Sequence, residues 1–144
     1  MLKVKKLKEN AILPKRATEG SAGADLYACI ENPVTLMSGE HTVIPTGIAI
    51  AVEKGYAALI YARSGLAIKH GIGLLNAVGV VDSDYRGEVC VGIINQFSEE
   101  YTIEPGERIA QLVITPVITE EIVECESLDT TIRGEGGFGS TGKK

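Results

Sequence analysis

Two carboxylates one residue apart, Asp82 and Asp84, stand between a β-branched run and a tyrosine–arginine pair in NAVGVVDSDYRGEV, residues 76–89. Asn76 opens that stretch with an amide, and Tyr85 and Arg86 follow the second aspartate. If the segment is extended, alternation puts both carboxylates on one face. One of them, flanked by Val80 and Val81, is then partly desolvated and able to take a proton from water, the task of a general base. The same pair has two other readings: ligands for a divalent cation, or a polar Asp-Ser-Asp turn joining two strands.

A second chemistry is written into RGEGGFGSTGKK, residues 133–144. Its five glycines permit backbone conformations that aim consecutive N–H groups at one concave side, and Arg133, Ser140 and Thr141 add donors that phosphate oxygens accept. Phe138 offers a flat face to a base. The segment reads as flexible alone and ordered by an anion. A P-loop is the nearest short motif, since residues 137–143 read G-x-x-x-x-G-K, but Lys144 stands where Ser or Thr is needed and no following helix is expected.

Three further clusters carry polar groups. AGADL, residues 22–26, is a small, flexible turn that delivers one carboxylate, Asp25, as a strand begins, and Asp25 equally reads as a simple turn residue capping nearby backbone N–H groups. ARSGLA, residues 62–67, sets Arg63 and Ser64 directly before backbone able to start a helical turn, which suits a phosphate and equally suits a capped surface turn. PGERIAQLVI, residues 105–114, is a turn feeding an apolar strand in which Gln111 needs a partner from backbone, water or ligand.

The elements that must position these groups are short β-branched or apolar runs broken by Gly, Pro, Asn and Asp, an all-β signature. Strands are expected over residues 3–7, 24–29, 42–44, 47–52, 57–61, 89–95, 108–116 and 121–124, with Pro45, Pro105 and Pro116 at strand ends. One helical turn or two is expected over 64–69, capped by Ser64 and terminated by Gly71. Strands this short suggest a sandwich, jelly roll or barrel, and oligomerisation is the expected remedy for its open edges. It would also bring together polar clusters that lie far apart in sequence.

At 144 residues and 44% hydrophobic content the chain supports one domain and one core. A net charge of -5 argues against general nucleic-acid or membrane-surface binding. No apolar run approaches membrane-spanning length and the first residues lack a signal peptide's apolar stretch, so a cytoplasmic location is expected. Cys29, Cys90 and Cys125 are widely spaced among apolar neighbours and read as buried thiols. Neither His41 nor His70 shares a ligand spacing with a cysteine, which argues against a protein-held zinc. A hydrolase G-x-S-x-G is missed at Ser140, where Phe138 occupies the first position.

Taken together, AGADL, ARSGLA, GVVDSDYRGEV, GERIAQ and RGEGGFGSTG resemble, in order and spacing, the five motifs of the homotrimeric dUTP pyrophosphatase (dUTPase) family, over nearly the whole chain. Departures are mild: Ala62 stands where many members have Pro, and Glu107 where many have Asp. The resemblance implies a jelly-roll, β-clip-like all-β fold with at most one short helix. It implies a single β domain over residues 1–132 and a flexible glycine-rich arm over 133–144 that closes on the site.

It further implies Mg²⁺-dependent hydrolysis of dUTP to dUMP and pyrophosphate, which keeps uracil out of DNA and supplies dUMP for thymidylate synthesis. Asp82 would be the general base and would contact the sugar 3′-hydroxyl, Tyr85 would pack on the deoxyribose and exclude a 2′-hydroxyl, and Asn76 with hairpin backbone would read uracil. Arg63, Ser64, Gly65 and Gln111 would hold the phosphate chain. Arg133, Gly139, Ser140 and Thr141 would close over its γ end while Phe138 stacks on the base. Mg²⁺ would be held mostly by phosphate oxygens and waters, with Asp25 orienting one metal-bound water, and each site would draw on three subunits. The related dCTP deaminases use a glutamate that Val80-Val81-Asp82 does not present. A nucleotide-sensing jelly roll without turnover is the non-enzymatic alternative, against which Asp82 argues.

Overall fold

Alternation of side chains is clearest in Glu88–Asn95, where Val89, Val91, Ile93 and Asn95 turn inward and the residues between them do not. The computed structural model describes residues 1–137. In chain order the strands are β1 (Lys3–Lys6), β2 (Ala24–Tyr27), β3 (Val34–Leu36), β4 (His41–Ala51) and β5 (Tyr56–Tyr61). After helix α1 (Ser64–His70) come β6 (Ile72–Leu74), β7 (Gly79–Val81), β8 (Glu88–Asn95), β9 (Tyr101–Ile103) and β10 (Arg108–Pro116). They build two four-stranded sheets, ordered β1-β4-β8-β6 and β2-β10-β5-β7, and a β3-β9 pair. Every pairing among these strands is antiparallel.

One apolar core joins the two large sheets. Ile44, Ile48, Val91 and Ile93 from the first meet Leu26, Ile60, Ala110 and Leu112 from the second, and Leu66 of α1 plugs the same cluster. Burying such side chains contributes about 1.5–3 kcal/mol each before the cost of ordering the chain. No helix among the described residues is long and apolar enough to cross a membrane.

The all-β architecture with one short helix matches the expectation, and four local readings are corrected. The segments 42–44 and 47–52 are one strand, and Pro45 lies inside it. The pairing of β4 with β8 shifts register between Pro45 and Ala49, so a residue without an N–H is accommodated at the irregularity. Residues 121–124 form no strand; Ile122 and Val123 are exposed, and among the described residues no strand lies beside them to satisfy their backbone. Arg63, not Ser64, is the N-cap residue, and no side chain caps the helix, while Gly71 ends it as expected in the left-handed conformation at φ 67°. Only Cys29 is buried; Cys90 points outward from β8 and Cys125 lies in the exposed segment after β10.

Candidate active site

Two cavities gather the chemistry, and they are separate in the single chain. The first, about 300 Å³, lies where β7, β8 and the end of β6 meet, and its lining includes Asn76, Asp82, Tyr85 and Glu88. The second, about 320 Å³, lies where β2, β10 and the start of α1 meet, and its lining includes Asp25, Arg63, Ser64, Gly65, Arg108 and Gln111.

The first cavity owes its shape to two tight turns. Between β6 and β7, Ala77 adopts φ 60°, an uncommon left-handed conformation for a residue with a Cβ, and the Val78 N–H closes on the Asn76 carbonyl at 2.6 Å. That sharp turn sets Asn76 at the cavity's edge. Between β7 and β8, residues 82–87 are not extended: the Tyr85 N–H donates to the Asp82 carbonyl at 3.2 Å, and Arg86 Nη1 donates to the carbonyls of Ser83 at 2.8 Å and Tyr85 at 2.7 Å. The shared face expected for Asp82 and Asp84 is therefore replaced by a turn, and Asp82 is exposed rather than desolvated within one chain. Arg86 serves the turn itself. Cys90 also lines this cavity; burial, then the neighbouring Glu88 carboxylate, push its thiol pKa up.

The second cavity is organised by Asp25. Its carboxylate accepts from Arg63 Nε at 2.9 Å and from Arg108 Nη1 at 3.2 Å, and Arg63 Nη1 reaches the Arg108 carbonyl at 3.2 Å. With only 14% of its side chain exposed, Asp25 bridges two guanidiniums and fixes their direction. Gln111 finds its partner in backbone: Nε2 donates to the Ala62 carbonyl at 3.0 Å. Gly23 makes that position accessible, because a Cβ there would stand 2.5 Å from Gln111 Oε1. Arg108 and Gly23 are the residues that motif reading passed over. Arg108 was legible as a second cation in GERIAQ; the demand on Gly23 arises only from Gln111, 88 positions away on β10.

Arg133 lines neither cavity; its Nε donates to the Gly136 carbonyl at 2.8 Å. Phe138, Gly139, Ser140 and Thr141 lie outside the described residues. Among the described residues no three His, Cys, Asp or Glu side chains cluster to hold a metal ion. Asp25 nonetheless keeps lone pairs beyond those its two arginines use, enough to accept from a water. The donor set thus fits a cation carried chiefly by phosphate oxygens and water rather than by protein ligands.

One cavity offers an amide, a phenol and a carboxylate, and the other guanidiniums, a hydroxyl and an amide, a division that suits a nucleoside and its phosphates. Comparison with known proteins bears on the same point. The family model for dUTPase matches residues 9–142. A deoxyuridine 5′-triphosphate nucleotidohydrolase of Fusobacterium nucleatum is 52% identical over 143 residues, covering 99% of this chain and 98% of that protein. One from a Hydrogenobaculum species is 51% identical over 143 residues, covering 99% of each. Among solved structures, the Staphylococcus bacteriophage 80alpha dUTPase with dUpNHpp superposes with a TM-score of 0.88 at 33% identity, covering 99% of this chain and 98% of that one. A mutant dUTPase from phage phi11 of S. aureus, with a coordinated structural Mg(II) ion, gives 0.80 at 28% identity, covering 90% and 99%. Motif order, antiparallel fold and near-complete coverage by these relatives converge, and the chain belongs to the dUTPase family.

Proposed function

We propose that this chain is a dUTP diphosphatase that hydrolyses dUTP to dUMP and pyrophosphate, in the cytoplasm, as a homotrimer whose sites each draw on three subunits. The observation that carries this reading is the separation of nucleoside-type and phosphate-type groups into two cavities of one chain. A site needing both is completed when the cavity of one copy meets the other cavity of its neighbour.

In this reading Asn76 and the adjoining hairpin backbone read the uracil edge. A wrong base leaves polar groups unpaired, and thymine's methyl meets the tight turn. Tyr85 packs on the deoxyribose. Asp82 accepts a hydrogen bond from the 3′-hydroxyl and takes a proton from the water that attacks the α-phosphorus in line, so the bond to the bridging oxygen breaks and pyrophosphate leaves. Arg63, Ser64, Gly65 and Gln111 hold the phosphate chain, with Asp25 and Arg108 keeping the Arg63 fork aimed. Residues 133–144 act as an arm: Arg133, Gly139, Ser140 and Thr141 close on the γ end and Phe138 stacks on uracil.

Mg²⁺ bound with the nucleotide would compensate charge on the phosphate oxygens, and Asp25 would hold one of its waters. Local cations of this kind let a chain of net charge -5 accept a polyphosphate.

The test is pyrophosphate release from dUTP, UTP, dTTP and dCTP in parallel, with Mg²⁺ and with excess chelator. Release from dUTP alone, lost with chelator, is expected. Saturable dUTP binding without release would overturn the catalytic reading, and ammonia release from dCTP would reassign the chemistry.

A further inference from the structure

Tyr85 is 45% exposed at the edge of the first cavity, so its ring needs a local reason to stay in one place. Two contacts supply it. The phenol Oη donates to the Glu88 carbonyl at 3.1 Å, folding the ring back over the chain that follows it. Beneath the ring lies Gly87, where an added Cβ would stand 2.3 Å from Oη, 2.5 Å from Cζ and 3.0 Å from Cε2. Real Cβ atoms do not approach so closely, so this ring position exists only because residue 87 has no side chain.

The demand is steric and not conformational. Gly87 does not occupy the left-handed region, so its backbone accepts alanine and only the ring must move. The floor under the ring is itself held: Glu88 Oε1 accepts from the Gly47 N–H at 2.7 Å, at the irregularity of β4, which ties the start of β8 to the neighbouring strand. Glu88 therefore presents its carbonyl to Tyr85 from a fixed position, and the ring is seated from below by Gly87 and at its tip by Glu88.

We propose that Gly87 is a positioning residue for sugar specificity: its missing side chain seats Tyr85 where a ribose 2′-hydroxyl would collide with the ring. This rests on the reading of Tyr85 as the deoxyribose contact. Gly87 touches no substrate and acts through the phenol alone.

The experiment compares kcat/KM for dUTP and UTP in the wild-type full chain, Gly87→Ala, Tyr85→Ala and the double variant. Gly87→Ala is expected to lower the dUTP/UTP ratio at least about tenfold, the equivalent of about 1.4 kcal/mol. The change should appear as a lower KM for UTP and a higher KM for dUTP. In the Tyr85→Ala background the same substitution is expected to leave the ratio unmoved, because the group it displaces is gone.

An unmoved ratio in folded Gly87→Ala, or an equal fall in both backgrounds, overturns the inference. Should Gly87→Ala not fold, Tyr85→Phe removes the bond to the Glu88 carbonyl and keeps the ring; a smaller fall in the ratio is expected, and no change overturns the proposal. A wild-type chain that does not prefer dUTP overturns the dUTP reading and this inference together. A preserved wild-type preference with an unmoved Gly87→Ala overturns the inference alone.

Discussion

Asp82 sits at the first position of a four-residue turn whose geometry is kept by backbone bonds and by Arg86, not by its own side chain. Replacing the carboxylate with an amide therefore leaves the turn intact. For Asp82→Asn we expect turnover to fall by roughly 10²–10⁴-fold, the usual contribution of a positioned base, with affinity for a non-hydrolysable dUTP analogue nearly unchanged. Single-turnover pyrophosphate release and equilibrium titration together check this, and substantial residual turnover in clean protein would remove Asp82 from the mechanism. Motif reading named Asp82, Asn76 and Tyr85, and they line one cavity. What it could not foresee was the use of Arg86 as an internal brace, since its partners are carbonyls one and three residues before it.

Elements outside the two cavities hold the strands in register. Asn95, fully buried at the end of β8, donates from Nδ2 to the carbonyls of Leu36 at 3.0 Å and Glu99 at 2.8 Å and accepts the Phe97 N–H at 3.0 Å, so one amide joins β3, β8 and the loop toward β9. A second brace runs from β9 to the turn before β10, where the Tyr101 hydroxyl donates to the Glu107 carboxylate and that carboxylate also accepts the Glu104 N–H at 2.9 Å. Burial, and then the bond and charge of Glu107, push the Tyr101 pKa well above a phenol's ordinary value.

A group whose pKa is raised on folding contributes fully below its unfolded value, about 10 for tyrosine, and loses that contribution as pH climbs through the folded value. Tyr101→Phe should thus cost about 1 kcal/mol at neutral pH, and the gap between the two proteins should narrow above about pH 10. Urea denaturation at a series of pH values measures it; a gap that is constant to high pH would mean that packing, not the hydroxyl, carries the difference. None of this brace was legible in advance. Three-residue strands such as β3, β6, β7 and β9 are defined by their partners more than by their own composition.

Across the whole molecule, apolar side chains on residues 117–132 face outward: Ile118, Ile122, Leu128 and Ile132 are all at least 85% exposed. A segment of that kind gains nothing from this chain's own core. In the proposed trimer it leads toward a site on another subunit, and two outcomes follow. Deleting residues 133–144 should leave fold and assembly in place, because the last strand among the described residues, β10, ends at Pro116, while turnover is crippled. Circular dichroism, sedimentation and pyrophosphate release report on this; full activity in the truncated chain would refute a closing arm. Mixing Asp82→Asn protein with the truncated protein, unfolded and refolded together, should restore a fraction of wild-type activity, since some sites then pair an intact Asp82 with an intact arm. No recovery would argue that each site is built from one chain.

The sequence by itself determined the all-β class, the helical turn closed by Gly71, and the order of the polar clusters along the chain, because alternation, turn chemistry and motif spacing are local properties. Only tertiary structure decided that Asp25 faces two arginines from 38 and 83 residues away. It also decided that β4 runs through Pro45, and that the stretch 121–124 finds no strand partner among the described residues. The physical reason is common to all three. Pairing across sheets and between guanidinium and carboxylate depends on which distant groups arrive in register, and a chain's local preferences do not encode its neighbours until the core has closed.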